Sequence, residues 1–182
     1  KAITVDVETF WVNSIFSGLH SNAIKVLIRQ IQAMLSHHNK LLCIRFDLRL
    51  HELPLNNGKI TGFNRLLHNW LKSKYKMLRV GFFWCREVET SENPHYHYLL
   101  IVDGNKVRTS HKINQKVREY WERLDGSLWV PKNCYYNIKR GDFKSTQDVV
   151  WRSSYLAKTR GKGNKPPQTK NYGSSRIKLK VS

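Results

Sequence analysis

A chain of 182 residues with 40% hydrophobic side chains can bury one full core, which excludes a disordered protein and makes one domain the default. Its 32 basic against 13 acidic residues give a net charge of +19, which favours a polyanionic partner and nucleic acid first. No apolar run reaches the roughly 18 residues that cross a bilayer, so no membrane partner is expected. Three scattered cysteines (Cys43, Cys85 and Cys134) indicate neither a disulfide framework nor a zinc site, and a reducing cytoplasm fits best.

The first half of the chain predicts two helices and a strand. Apolar residues follow a helical period over residues 21–38, with Ser21 as the N-cap. Residues 41–50 alternate apolar with charged side chains from Ile44 onward, which is typical of a half-buried strand. A turn at residues 56–58 leads to a second helix, whose apolar face runs from Phe63 to Leu71.

The second half predicts a hairpin, a helix, a strand and a last helix. Residues 78–88 are rich in aromatic and β-branched side chains, and a polar break at residues 90–94 leads into a strand that begins at His95. A helix then includes Ile113 and Trp121, a strand covers residues 134–139, and the last helix covers residues 145–159 with Ser145 as its N-cap. This order predicts the α+β class, with a central antiparallel sheet flanked by helices.

Positive charge is concentrated near the end of the chain. Residues 140–182 carry eleven basic side chains against Asp142 and Asp148, whereas residues 1–39 carry three basic against two acidic ones. We therefore divide the chain into a domain over residues 1–160 and a basic segment over residues 161–182. That segment is either part of the same domain or a flexible tail that can still hold phosphates.

The most informative segment is residues 94–102, Pro-His-Tyr-His-Tyr-Leu-Leu-Ile-Val. Successive side chains of a strand point to opposite faces, so His95 and His97 share one face while Tyr96 and Tyr98 share the other. At roughly 6 to 7 Å apart along the backbone, the two imidazoles can converge on one metal ion. An isolated His-x-His pair is more often two histidines on a polar strand face, so the assignment depends on the surrounding residues.

A carboxylate is available on the preceding strand of the predicted hairpin. Glu87 falls opposite the histidine pair and is the first candidate for a third ligand. Glu89 has the same strand parity and is the reserve, and Glu92 in the turn is the weaker choice. Such a set with open positions suits Mg²⁺ or Mn²⁺ meeting a phosphate, with zinc as the runner-up because two imidazoles favour it.

The last predicted helix carries Ser154-Tyr155-Leu156-Ala157-Lys158. Tyr155 and Lys158 are three residues apart and so share a helix face. A tyrosine in a helix is usually a core residue with its hydroxyl at the rim. Here the surroundings are basic, and a cationic neighbour is what an attacking phenolate and a charged phosphodiester both require.

The histidine strand followed downstream by Tyr-Leu-Ala-Lys resembles the HUH endonucleases, specifically the single-tyrosine initiators of rolling-circle replication. Within them it is most similar to prophage and filamentous-phage (inovirus-type) replication proteins, over about residues 40–180. The resemblance implies an HUH/Rep-like fold with an RRM-like core. It also implies that His95 and His97 bind the metal with Glu87, that Tyr155 attacks a DNA phosphate to leave a 5′-phosphotyrosine, and that Lys158 neutralises developing phosphate charge.

The partners that this resemblance implies are single-stranded DNA and origin hairpin DNA, with host replication proteins as further candidates, in the cytoplasm of a bacterial host. The side chains expected to contact DNA are Arg45, Arg152, Arg160, Lys162 and Lys165. Two alternatives stay open: a catalytically silent module that only recognises an origin, and an RNA-binding sheet of the RRM type, which lacks the RNP1 pattern. No phosphate-binding Gly-x-x-x-x-Gly-Lys-[Ser/Thr] loop is present, so no helicase motor is encoded.

Overall fold

The computed structural model describes residues 1–15, 18–88, 94–158 and 167–181. In that part of the chain, four helices flank an antiparallel sheet of six strands, which confirms the α+β class. The helices are α1 (Ser21–His37), α2 (Gly58–Tyr75), α3 (His111–Glu122) and α4 (Phe143–Ser154). The strands are β1 (Ala2–Val5), β2 (Glu8–Trp11), β3 (Lys40–Leu50), β4 (Gly81–Glu87), β5 (His95–Asp103), β6 (Gly126–Trp129), β7 (Tyr135–Lys139) and β8 (Tyr172–Ser174).

The long strand β3 organises the sheet. Along one side it pairs with β5 from Leu41 to Arg49, and along the other it pairs first with β7 and then with β6. Beyond β5 lie β4 and then β8, so the order is β6-β3-β5-β4-β8 with β7 beside β6 on β3. Strands β1 and β2 form a separate hairpin that packs on α1 and α4.

Each face of the sheet has its own apolar core, as the alternation of side chains requires. Tyr96 and Tyr98 point into the core that α2 and α3 cover. Leu99 and Ile101 point into the opposite core, together with the apolar side of α1. Because His95 and His97 share the parity of Leu99, they lie on the α1 face, and they lie opposite Tyr96 and Tyr98 as the strand pattern predicts.

The helices and the strands β3, β4, β5 and β7 occur close to where the sequence predicts them. The pattern did not indicate the β1–β2 hairpin, β6 or β8, because each of these strands has only three or four residues. An alternation of apolar and polar residues is not distinctive over so short a run. Helix α1 begins at Ser21, but its N-cap is His20 and no side chain caps it, so the assignment of Ser21 as N-cap is wrong.

The last helix differs from its prediction at both ends. Its N-cap is Asp142, whose carboxylate accepts a hydrogen bond from the Ser145 backbone N–H at 3.1 Å, so Ser145 is the capped residue rather than the cap. The α-helix ends at Ser154, and a 3₁₀ turn, Tyr155–Ala157, follows. The prediction of an α-helix through residue 159 is therefore wrong. The Lys158 backbone is extended and bridges to Leu19, which draws the chain out of the helix.

Part of the basic segment is built into the sheet. Strand β8 pairs with β4, and Ser175 and Ile177 bind the buried Gln30 side chain of α1 through hydrogen bonds of 2.6 and 3.1 Å to its Oε1. Gly173 has no side chain where the Trp84 ring covers it, since a Cβ there would lie 2.5 Å from the indole. The segment at residues 167–181 is thus anchored by backbone pairing and by buried polar contacts.

None of the helices in the described ranges combines the length and the apolar character needed to span a bilayer. The three cysteines are buried and free. Burial raises the pKa of the Cys43 thiol to about 12, so this cysteine is a packing residue rather than a reactive one.

Candidate metal and nucleophile site

The site lies on the α1 face of the sheet, where the apolar core gives way to polar residues. Along β3 the side chains on this face change from Cys43 to Arg45, Asp47 and Arg49. On β5 the change is from Leu99 to His97 and His95. Strand register aligns Asp47 with His97, and it places His95 between Arg49 and Glu87. A band of charged groups therefore crosses three strands.

His97 is the centre of this band. It is only 5% exposed, and its two ring nitrogens each lie 2.8 Å from a carboxylate oxygen, Nδ1 from Asp47 and Nε2 from Glu87. Burial by itself would lower the pKa of His97, but the hydrogen bonds to the two carboxylates outweigh burial and raise the pKa above its ordinary value. The protonated ring can therefore donate one hydrogen bond to each carboxylate.

Three side chains fit a divalent cation. One ligand atom from each of Asp47, His95 and His97 lies within 4.8 Å of the other two, a separation that a small movement of the side chains closes around one ion. A donor set of imidazole nitrogen and carboxylate oxygen is compatible with Mn²⁺ and Zn²⁺. Mg²⁺ prefers oxygen ligands, so the carboxylate is the part of this set that suits it. His95 and His97 thus come together as the sequence predicts. The carboxylate grouped with both of them is Asp47.

Glu87, the carboxylate that the sequence predicts as the third ligand, also reaches the site. It pairs with His95 across the β4–β5 hairpin and contacts Nε2 of His97. Its position is that of a carboxylate that orients a ligand histidine through the ring nitrogen turned away from the ion. The reserve candidate Glu89 lies outside the described residues.

Sequence reasoning overlooked Asp47 as a ligand, although a signal was present. Asp47 alternates with Arg45 and Arg49 on a strand whose other face is apolar from Leu42 to Leu50. A half-buried strand with three charged residues on one face indicates a site rather than a solvated surface. Trp129 was overlooked as well: it is the cross-strand partner of Asp47, 42% exposed, and the Arg49 guanidinium lies 5.8 Å from its ring.

Tyr155 lies beside this cluster. Its ring centroid is 6.2 Å from that of His97, and its side chain is 42% exposed. The Lys158 ammonium lies 4.2 Å from the ring centroid, and the Arg45 guanidinium lies 5.7 Å from it. The 3₁₀ turn therefore brings Lys158 over Tyr155, although the two residues do not share an α-helical face. An accessible phenol with two cations stands next to a group that can hold a metal.

The two cations are held differently. Lys158 donates a hydrogen bond to the Ile15 carbonyl at 2.9 Å, which fixes its ammonium above the ring. Arg45 has its Nε buried without a hydrogen-bond partner among the residues that the structure describes. A buried guanidinium N–H without a partner is costly. Arg45 also lines the surface beside Tyr155, where its charge can attract an anionic ligand such as a phosphate.

One of the other predicted DNA contacts, Arg152, lies within the described residues. Arg152 stacks on Tyr136, with its guanidinium 5.5 Å from the ring centroid, near Tyr155. The remaining three (Arg160, Lys162 and Lys165) lie outside the described residues.

Comparison with known proteins gives one match. The family model described as the YagK/YfjJ C-terminal domain matches residues 12–175. No curated protein and no solved structure matches the chain significantly. The match covers the whole six-stranded sheet, the histidine strand and Tyr155.

Proposed function

The chain belongs to the YagK/YfjJ C-terminal domain family, and we propose that it nicks and rejoins single-stranded DNA through a tyrosine nucleophile, in order to start rolling-circle replication of a phage or mobile element. The observation that carries this proposal is the contact between Tyr155 and His97 at 6.2 Å between ring centroids, with Lys158 and Arg45 on the same phenol. An exposed tyrosine at a cluster of histidines and carboxylates suits attack on a phosphodiester.

In the proposed reaction, the Tyr155 Oη attacks a DNA phosphorus and gives its proton to solvent. The bond from phosphorus to the 3′ oxygen breaks, and that oxygen takes a proton from solvent to become a free 3′-hydroxyl. The downstream strand is then joined to Tyr155 by a 5′-phosphotyrosine. Attack of a 3′-hydroxyl on this linkage reverses the step and releases the tyrosine, so strand joining needs no external energy source.

The protein side chains supply positioning and charge. Asp47, His95 and His97 would hold Mg²⁺ or Mn²⁺, with Zn²⁺ as the second choice, and Glu87 would orient His97 through its other ring nitrogen. When bound, the ion would supply Lewis-acid polarisation of the phosphate. Arg45 and Lys158 would stabilise the negative charge on the phosphate and on the phenolic oxygen, which attacks in the nicking step and departs in the joining step.

The test is formation of a covalent adduct. The protein is incubated with Mn²⁺ and a pool of single-stranded DNA that contains random and hairpin sequences and is labelled at its 3′ end, because only the 3′ fragment stays on the enzyme. The wild type should yield a labelled protein band in a denaturing gel. Tyr155→Phe should fold, bind DNA and give no such band, since it lacks only the attacking oxygen.

Tyr135→Phe is the matched control, because Tyr135 is similarly exposed, at 40%, but lies on β7. It should form the adduct as the wild type does. An adduct on the Tyr155→Phe protein would place the nucleophile elsewhere. If the wild type forms no adduct with Mg²⁺, Mn²⁺ or Zn²⁺, the alternative of a non-catalytic module that recognises an origin replaces this proposal.

A further inference from the structure

An open cleft of about 310 Å³ lies beside Tyr155, which is one of its lining residues. The loop between β6 and β7, the end of α4 and residue Asn13 form its walls. Its volume is at the lower end of the roughly 300–1,000 Å³ that small-ligand sites occupy. Asp47, His95 and His97 do not line it, so the cleft is a separate feature of the surface.

The cleft combines an available aromatic face with cationic walls. Trp151 of α4 is 38% exposed and stacks on no other ring in the described ranges. Arg152 supplies positive charge to the wall, and its guanidinium covers the ring of Tyr136. A hydrogen bond from the Tyr136 hydroxyl to the Asn133 carbonyl holds that ring in place. Base stacking on an aromatic ring between cations is how proteins hold single-stranded nucleic acid.

The cleft also has polar groups that can read a base edge. The side-chain amide of Asn133 makes no hydrogen bond within the described part of the chain, and it lines the cleft. Asn13 uses its Oδ1 to accept from the Ile15 N–H, so its Nδ2 can donate to a ligand. An amide offers a donor and an acceptor together, which is the pattern that base edges present.

We propose that this cleft binds the nucleotide that flanks the scissile phosphate, with its base stacked on Trp151, its edge read by Asn133 and Asn13, and its phosphate held by Arg45. The proposal rests on the function proposed above in that the ligand is the strand that Tyr155 cleaves. Arg45 links the two sites, because it lines the cleft and its guanidinium lies 5.7 Å from the Tyr155 ring centroid.

The test measures binding without cleavage. Each variant is made in the Tyr155→Phe background. It is titrated, in buffer without divalent ions, into a fluorescently labelled DNA single strand of about 12 nucleotides, which is within the usual site size. Trp151→Ala should weaken binding roughly 5- to 150-fold, as expected when one base loses its stacking partner. Trp151→Phe should retain most of the affinity, which separates stacking from a defect in folding.

Trp11→Ala is the matched control, since Trp11 is 61% exposed on β2 and does not line the cleft. It should bind as the parent does. Asn133→Ala should leave average affinity within about threefold but flatten the preference for one base in a set of strands that differ at a single position.

Affinity that is unchanged by both Trp151 substitutions would overturn the cleft assignment, even if the wild type forms the covalent adduct. Tighter binding of an RNA strand of the same sequence would overturn DNA as the ligand. A loss of affinity in Trp151→Ala together with a wild type that forms no adduct would support the cleft and refute cleavage. The two proposals therefore fail separately.

Discussion

Asp47 shows why single residues of this site are hard to assign from sequence. His95 and Glu87 belong to one hairpin, so strand parity alone places them opposite each other. Asp47 reaches His97 from a strand that is 50 residues earlier in the chain. Which strands become neighbours depends on the packing of the whole sheet, and no local pattern contains that information. The sequence therefore predicts the two histidines and Glu87, but it does not predict Asp47 as the second carboxylate that contacts His97.

At the scale of residues, we predict that Asp47→Asn lowers affinity for Mn²⁺ more than Glu87→Gln does. A ligand carboxylate contributes a direct bond and a charge, so its loss should cost more than about 100-fold. A carboxylate that only orients a histidine should cost about 10- to 100-fold. Isothermal titration calorimetry of both variants, and of the His95→Ala, His97→Ala double variant as the reference for a lost site, provides the comparison.

Asp148→Asn serves as the control for that titration, because Asp148 is exposed on α4 and should not change the affinity. If Glu87→Gln abolishes binding while Asp47→Asn leaves it nearly unchanged, Glu87 is the ligand and Asp47 the orienting group. Binding that survives the double histidine substitution would refute the metal site itself.

At the scale of elements, helix α4 determines where Tyr155 lies. Its cap fixes the start of the helix. Its end is fixed by the bridge between Leu19 and Lys158 and by the hydrogen bond of 2.9 Å that the His20 N–H donates to the Ala157 carbonyl. The tyrosine is presented on the 3₁₀ turn between these two constraints. Helix periodicity predicted that α4 exists. The bridge to residues near the start of the chain is a tertiary contact, which explains why the predicted end was wrong.

We predict that Asp142→Ala lowers the free energy of unfolding by about 1 kcal/mol, because the Ser145 backbone N–H loses its acceptor. Urea denaturation followed by circular dichroism would measure the difference. Lys144→Ala, an exposed change within the same first turn, should leave stability nearly unchanged. Equal midpoints for the Asp142→Ala protein and the wild type would show that the capping hydrogen bond contributes little.

At the scale of the whole molecule, the charge of +19 is the property that composition alone makes visible. We predict that single-stranded DNA binding weakens steeply with salt. A plot of log affinity against log salt has a negative slope, and Arg152→Gln should make this slope less steep by about 0.7. This value is the contribution of one phosphate contact to a single strand. Fluorescence anisotropy at several salt concentrations would measure this slope.

Lys74→Gln is the control for the salt dependence, since Lys74 is exposed on α2, which covers the other face of the sheet. Its slope should equal that of the wild type. An affinity that does not depend on salt would exclude an electrostatic interface with DNA. If Lys74→Gln made the salt dependence less steep than Arg152→Gln does, the DNA strand would lie on the face of the sheet that α2 covers.

The pairing of β8 with β4 covers a sheet edge that another strand could otherwise pair with. Hydrogen bonds between residues 171–175 and 82–86 use the backbone groups that β4 would otherwise present at the margin of the sheet. A chain that ended before β8 would leave this margin as a template for a strand of another molecule. The three-residue β8 also keeps the new margin short, which offers an incoming strand few backbone groups to pair with. Strand β8 therefore limits the length of sheet edge at which a second molecule could add a strand.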